Sequence, residues 1–151
     1  MSQQESAPIP PFINKVMSTV LRSPLHGMVS KSIMLITFTG RKSGKTYTTP
    51  ISYTRDGNLV TAFTHAKWSH NLVGGAPVAL TIKNKPLQGE ADVVSDDKDA
   101  IATALNTHLS QVKMDAKYYQ VNFDDKGAPN WEDVVRAADN CEMIRVKLVE
   151  N

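Results

Sequence analysis

Cysteine is nearly absent from this chain, and long apolar runs are absent altogether. Cys141 stands alone, so no intrachain disulfide can form, and its place in an apolar, strand-like segment indicates a buried thiol rather than a nucleophile. No stretch approaches the roughly 18 apolar residues that a membrane-spanning helix needs. The opening residues, MSQQESAPIPP, lack the basic start and apolar core of a secretory signal. We therefore expect a cytoplasmic protein with no membrane-spanning segment, while peripheral contact with a membrane stays open.

Several signatures of common enzyme and binding classes are missing as well. Gly40 and Gly44 stand too close together for a Walker A loop, and a strand-like segment follows where that loop requires a helix. No G-x-G-x-x-G occurs, which excludes a dinucleotide bound in the Rossmann manner. Ser43 lacks the G-x-S-x-G context of a hydrolase. The histidines do not have the spacing of zinc ligands, and no nucleic-acid-binding pattern occurs, so we predict neither a metal site nor a nucleic-acid partner.

The charges that are present divide the chain into a basic and an acidic half. The formal net charge is +2, but residues 1–89 hold ten Lys and Arg against two acids, whereas residues 90–151 hold seven against thirteen. A basic half can attract nucleic acid, anionic lipid or a phosphorylated small molecule. The asymmetry therefore predicts an anionic partner without naming it.

The organisation along the chain indicates one domain behind a short arm. Residues 1–11 carry three prolines among polar residues and predict a flexible arm, and residues 12–151 form a single domain of ordinary size. Apolar residues from Phe12 to Leu21 follow helical spacing, and Ser23-Pro24 ends that helix. We expect this N-terminal helix to pack over one end of the fold.

From Ile33 onward the spacing is that of strands. Three runs, SIMLITFTG, TYTTPISYT and NLVTAFT, are closed by turn signals, and a short helical segment, KWSHNLVGG, follows them. VALTIKN and LQGEADVVS predict a hairpin around Lys85-Pro86. A helix capped by Ser95 or Asp96 then presents an apolar face, a short helix begins at Asn130, and CEMIRVKLV supplies a sixth strand. The apolar face of the helix that begins at Ser95 or Asp96 comprises Ile101, Leu105, Leu109 and Val112.

This order of elements favours a mainly β fold with helices. Five successive strands, helical cover and a returning strand suit a six-stranded antiparallel closed barrel, because the alternating strand–helix units of a parallel sheet are absent.

The segment Gly40-Arg41-Lys42-Ser43-Gly44-Lys45-Thr46-Tyr47 is the densest candidate for chemistry. Two glycines let backbone amides converge on a ligand, Arg41 can grip a phosphate through its planar fork, and lysines add charge. The functional interpretation is a phosphate-binding turn, and the alternative is a solvated hairpin whose charges keep a sheet edge soluble.

At this turn the sequence TFTGRKSGKTYTTPI resembles the deazaflavin (F-420)-dependent nitroreductase family, whose members carry a G-R-K-S-G-x-x-R-x-x-P-like stretch. The resemblance extends to a W-x-x-N-L element at Trp68–Leu72 and covers about residues 25–95. It implies an FMN-binding split β-barrel that binds F-420, or in related branches FMN or haem, with the cofactor phosphate near the turn. The cofactor-binding residues it implies are Gly40, Arg41, Lys42, Ser43, Gly44, Lys45, Tyr47, Pro50, Trp68 and Asn71.

Two departures from the family affect the site. Tyr47 stands where the family usually has Arg, which removes one cation and leaves open whether Lys45 compensates. The loop between Phe63 and Lys67 is short, which changes the rim of the pocket.

The resemblance implies a reductase that uses F-420H2 to reduce a small electron-poor molecule such as a quinone, an enone or a nitro compound. The cofactor carries the hydride, so the chain needs only to position it and supply a proton donor. The available donors are His65, His70, Tyr47, Tyr118 and Tyr119, and the resemblance places Tyr118 and Tyr119 on the substrate side as the catalytic candidates. A non-catalytic carrier of flavin, haem or lipid, an FMN-dependent reductase, and the pairing of two barrels as a homodimer stay open.

Overall fold

A computed structural model of the protein describes residues 32–149. The predicted N-terminal arm and the helix after it lie outside the described residues. Six antiparallel strands close into a barrel in the order β1-β2-β3-β6-β5-β4, which confirms the predicted fold. The strands are β1 (Ile33–Thr39), β2 (Thr46–Asp56), β3 (Leu59–Thr64), β4 (Ala76–Ile82), β5 (Lys85–Val94) and β6 (Glu142–Leu148).

Helical segments occupy the connections. A 3-10 helix, Lys67–Leu72, joins β3 to β4, and two α-helices, α1 (Lys98–Gln111) and α2 (Trp131–Asp139), lie between β5 and β6 with a second 3-10 helix, Lys113–Tyr119, between them. None of the helices within residues 32–149 is long and apolar enough to cross a membrane.

The turn between β4 and β5 lies two residues earlier in the chain than the sequence suggested. Ile82 pairs with Lys85, so the turn residues are Lys83 and Asn84, both with positive φ (50° and 67°). Two such residues give the turn type whose twist matches antiparallel strands, and Asn tolerates that conformation. Pro86 lies inside β5, opposite Thr81 of β4 and ahead of the stretch from Gly89 that pairs with β6, so on the β6 side no partner strand needs its missing N–H. The prediction of a turn at Lys85-Pro86 was wrong because a proline was taken to mark a turn at a position where a strand tolerates it.

The caps of the helices were predicted to within a residue or two. Asp97, not Ser95 or Asp96, caps α1 by accepting a hydrogen bond from the amide of Ala100 at 3.0 Å. Ser95 donates instead to Glu142. Val112 is the C-terminal cap rather than part of the apolar face, while Asn130 caps α2 as expected.

Two hydrophobic cores lie on either side of the barrel wall. The inner core fills the barrel with inward-facing residues such as Ile36, Val60 and Ile144. The outer core joins α1 and α2 to the barrel through Phe63 of β3 and Met143 of β6, whose side chains point outward because strand residues alternate. Cys141 lies just before β6 and is buried in this outer core, as a structural thiol would be.

Candidate active site

A cavity of about 570 Å³ opens at one end of the barrel, between the β1–β2 turn, the start of β2 and the 3-10 helix Lys67–Leu72. It is lined by Phe38, Gly40, Arg41, Lys42, Ser43, Tyr47, Thr48, Thr49, Lys67, Trp68, His70 and Asn71. The turn and the W-x-x-N-L element, which stand more than twenty residues apart in the sequence, therefore form two facing walls of one cavity.

The turn that forms the first wall is closed by its own backbone. The amide of Gly40 donates to the carbonyl of Lys45 at 2.8 Å, the amide of Gly44 donates to the carbonyl of Gly40 at 2.9 Å, and Ser43 Oγ accepts from the amide of Lys45 at 3.1 Å. Gly44 has φ +71°, which L side chains rarely adopt. At Gly40 a Cβ atom would lie 2.8 Å from Ser43 Oγ and 2.9 Å from the Tyr47 ring. A side chain at position 44 would be strained by the backbone conformation, and a side chain at position 40 would force Ser43 or Tyr47 to move.

Arg41 ties this turn to the opposite wall. Its amide donates to Asn71 Oδ1 at 3.0 Å, and its guanidinium donates to the carbonyl of Val73 and, at 3.5 Å, to that of Gly75. Asn71 in turn donates to the carbonyl of Trp68 at 2.9 Å, so its side chain holds this loop through hydrogen bonds to backbone groups. The guanidinium that the sequence suggested as a phosphate ligand therefore uses some of its donors to fix the spacing of the walls.

An aromatic surface runs across the cavity. Phe38, buried at the end of β1, stacks on Trp68 with ring centroids 5.1 Å apart and on Tyr47 with centroids 5.7 Å apart. The hydroxyl of Tyr47 lies 3.3 Å from Ser43 Oγ. This surface can hold a flat conjugated ring against one wall, because offset stacking and burial of apolar area both favour that contact.

The polar lining of the cavity is cationic. Arg41, Lys42 and Lys67 contribute side chains to it, and no carboxylate of the described residues does. Such a wall attracts anions. When a bound ligand displaces water from the cavity, the attraction between its negative charge and these cations becomes stronger than it would be in bulk water.

His70 is the titratable group of the cavity that has an anionic neighbour. Its Nε2 lies 4.0 Å from Oε2 of Glu142, at the start of β6. A hydrogen bond from Ser69 lowers the pKa of the Glu142 carboxyl despite partial burial, and Ser95, His70 and Lys98 act in the same direction. Glu142 therefore remains ionised near neutral pH and can orient an imidazole on the cavity wall.

Some of the residues predicted for the site lie elsewhere. Gly44, Lys45 and Pro50 do not line the cavity. Tyr118 is 71% exposed on the second 3-10 helix. Tyr119 stacks on His65 and packs against the outer core, where burial and then the nearby Cys141 and Asp115 raise the pKa of its phenol. Neither tyrosine reaches the cavity wall in this conformation.

Five lining residues were not among the predicted site residues, although His70 had been named as an available proton donor: Phe38, Thr48, Thr49, Lys67 and His70. The two threonines flank the predicted turn and could have been included by extending it along β2. Nothing in the sequence distinguishes Phe38 from an ordinary core residue of a strand. Lys67 precedes Trp68 directly, but only the fold shows that this residue faces the turn.

A second polar cluster, Ser52, His108 and Asp115, joins β2, α1 and the second 3-10 helix outside the cavity. His108 Nε2 lies 2.8 Å from Asp115 Oδ2, and the hydroxyl of Ser52 donates to the same oxygen. A serine nucleophile needs its hydroxyl on the histidine, so this arrangement does not activate Ser52. The cluster is structural, and within residues 32–149 no group of three or more His, Cys, Asp or Glu side chains is placed to hold a metal.

Comparison with known proteins gives a family and a fold. The family described as F-420H(2)-dependent quinone reductase matches residues 17–138. No curated protein sequence matches the chain.

Solved structures share the barrel at low sequence identity. A protein of unknown function from Agrobacterium tumefaciens superposes with a TM-score of 0.55 at 15% identity, covering 89% of this chain and 54% of that one, so this chain spans about half its length. A pyridoxamine 5'-phosphate oxidase-related, FMN-binding protein from Nostoc punctiforme superposes with a TM-score of 0.53 at 14% identity, covering 93% and 82%. An F-420H2-dependent reductase also matches, with a TM-score of 0.44 at 17% identity, covering 79% and 97%. The first two share the split-barrel fold with this chain.

Proposed function

Because the chain belongs to the F-420H(2)-dependent quinone reductase family, we propose that it reduces an electron-poor small molecule, such as a quinone, an enone or a nitro compound, with a hydride from F-420H2. The observation that carries this proposal is the cavity itself, which joins an aromatic surface to a cationic turn in one space of about 570 Å³. That volume lies in the range of ordinary cofactor and ligand pockets.

The residues of the cavity fit a deazaflavin with a phosphorylated tail. Phe38, Tyr47 and Trp68 offer the flat surface that a tricyclic ring needs, and the side chain of Lys42 offers a positive group for a phosphodiester. The cofactor supplies the hydride chemistry. Arg41 and Asn71 hold the two walls at a fixed spacing, so the ligand does not have to order them on binding.

Reduction of a quinone adds two electrons and two hydrogen nuclei, and the hydride brings only one of those nuclei. The other must arrive as a proton, and we assign its delivery to His70 because the imidazole lines the cavity and has the ionised Glu142 beside it. Tyr118 and Tyr119 remain candidates for contact with the substrate. The raised pKa of Tyr119 means that its phenol gives up a proton less readily than an ordinary tyrosine.

The direct test is a titration of the purified protein with F-420, followed by mixing the F-420H2-loaded protein with menadione. We expect saturable binding, and oxidation of F-420H2 to F-420 matched mole for mole by reduction of the quinone to hydroquinone. Buffer with cofactor and menadione but no protein gives the uncatalysed rate.

The same experiment separates the alternatives. Tight binding of F-420H2 without reduction of any of a panel of quinones, enones and nitro compounds would identify a carrier. A protein that purifies with FMN or haem, recognised by its absorption spectrum, and takes up no deazaflavin would overturn the cofactor assignment.

A further inference from the structure

The cationic side chains that line the cavity differ in whether they are free to bind a ligand. The guanidinium of Arg41 already donates to the carbonyls of Val73 and Gly75. Lys42 and Lys67 line the cavity, and their side-chain ammonium groups make no hydrogen bond or ion pair with another of residues 32–149. Two uncommitted ammonium groups therefore remain.

These two lysines come from opposite walls. Lys42 lies on the β1–β2 turn, and Lys67 is the first residue of the 3-10 helix that carries Trp68 and Asn71. The bond from the Arg41 amide to Asn71 Oδ1, at 3.0 Å, fixes the helix to the turn. The two charges therefore flank one space whose walls cannot drift apart without breaking backbone contacts.

Tyr47 and Lys45, two other polar residues near the turn, do not supply a second positive charge to the cavity. Tyr47 lines the same cavity and brings a hydroxyl that lies 3.3 Å from Ser43 Oγ, but it brings no charge. Lys45 is exposed and does not line the cavity, although its backbone closes the turn.

We propose that Lys67 is the second cation of the anion subsite, so that Lys42 and Lys67 bracket the phosphodiester of the cofactor from the two walls of the cavity. This assignment rests on the proposed function. A phosphodiester carries one negative charge shared by two free oxygens, so one ammonium group on each side can bind it at once, whereas two lysines on the same turn would repel each other on one side of it.

The test compares Lys67→Ala with Lys45→Ala, which removes a lysine of the same charge that lies outside the cavity. Binding is measured by fluorescence titration with two ligands, F-420 and the deazaflavin chromophore without its phosphodiester tail. We expect Lys67→Ala to weaken F-420 binding roughly tenfold to a hundredfold at low salt, the range for a lost charge-assisted hydrogen bond. The difference should shrink at high salt. Binding of the tail-less chromophore should not change, and Lys67→Arg should retain most of the affinity.

The outcomes are distinguishable. A Lys67→Ala variant that binds F-420 as tightly as the wild type, or one that loses both ligands equally, overturns the assignment of Lys67 and leaves the proposed function standing. A loss as large in Lys45→Ala also overturns it, because the effect would then be one of net charge. Wild-type protein that binds no F-420 at any ionic strength overturns the proposed function and this assignment together. Unchanged melting temperatures of the variants show that the fold is intact.

Discussion

His70 and its neighbour Glu142 allow proton delivery to be tested at the scale of single residues. His70→Gln keeps a polar group at the cavity wall and removes the imidazole proposed as the proton donor. We expect kcat with menadione to fall roughly a hundredfold or more, the lower end of the range for general acids, while the Kd for F-420 stays nearly constant. The measurement is steady-state kinetics together with a binding titration.

Glu142→Gln tests the contribution of the neighbouring carboxylate. It removes the charge that lies 4.0 Å from the imidazole and should lower kcat in the same direction as His70→Gln but by less, because the imidazole itself stays in the cavity lining. Tyr118→Phe and Tyr119→Phe serve as comparisons. A large loss of kcat in either of them, with little in His70→Gln, would return the role of donor to the tyrosines.

At the scale of elements, Asp115 joins three segments that are distant in the sequence. It accepts hydrogen bonds from Ser52 of β2 and His108 of α1 while lying on the second 3-10 helix. Burial alone would raise the pKa of the Asp115 carboxyl, but the hydrogen bonds from His108 and Ser52 and the charge of His108 lower it below its ordinary value. The carboxylate is thus favoured in the folded protein.

The lowered pKa predicts how stability depends on pH. Asp115→Asn should lower the free energy of unfolding at pH 7 by about 1–3 kcal/mol, since it weakens a buried hydrogen-bonded pair. Because the folded pKa lies below that of the unfolded chain, the advantage of the wild type is complete above about pH 4 and declines as pH falls through the folded pKa. Urea unfolding of both proteins from pH 7 down to pH 3 measures this difference. A difference in the free energy of unfolding that disappears near pH 6, or that persists unchanged at pH 3, would contradict the lowered pKa of Asp115.

At the scale of the whole molecule, the two cores share the barrel wall. Phe63 and Met143 belong to barrel strands yet pack with the helices, so the barrel and the helical layer should unfold together as the single domain that the sequence predicts. The two tryptophans report on the two parts, because Trp68 lies at the cavity and Trp131 begins α2.

The test uses two single-tryptophan proteins, Trp131→Phe and Trp68→Phe, each combined with Leu105→Ala in the outer core or Ile144→Ala in the inner core. Both core residues are essentially fully buried, and each substitution should cost about 2–5 kcal/mol. We expect the urea midpoints reported by the two tryptophans to move together for either substitution. If Leu105→Ala moves only the Trp131 transition, the helical layer is a separate unit and the single-domain prediction is wrong.

Local patterns in the sequence predicted the six strands, most of the turns, the helical segment that contains Trp68, and the helices α1 and α2. NLVTAFT and CEMIRVKLV were predicted as strands, and the structure places their residues Val60 and Ile144 inside the barrel, while Asn130 marked the start of α2. These succeeded because strand alternation and helix capping depend on neighbours within a few residues. The turn at Lys83-Asn84 was missed since the sequence alone does not show that Pro86 lies where β6 no longer pairs with β5.

Only the tertiary structure decided which residues share the cavity. The sequence by itself determined that a turn with two glycines and three cations follows the first strand, because those residues are consecutive, and it predicts that this turn binds an anion. Closure of the barrel decides that Arg41 contacts the opposite wall, that Lys45 does not line the cavity, and that Lys67 does. Closure brings the 3-10 helix against the turn, and contacts between segments so far apart in the chain leave no periodic pattern in the sequence from which they could be predicted.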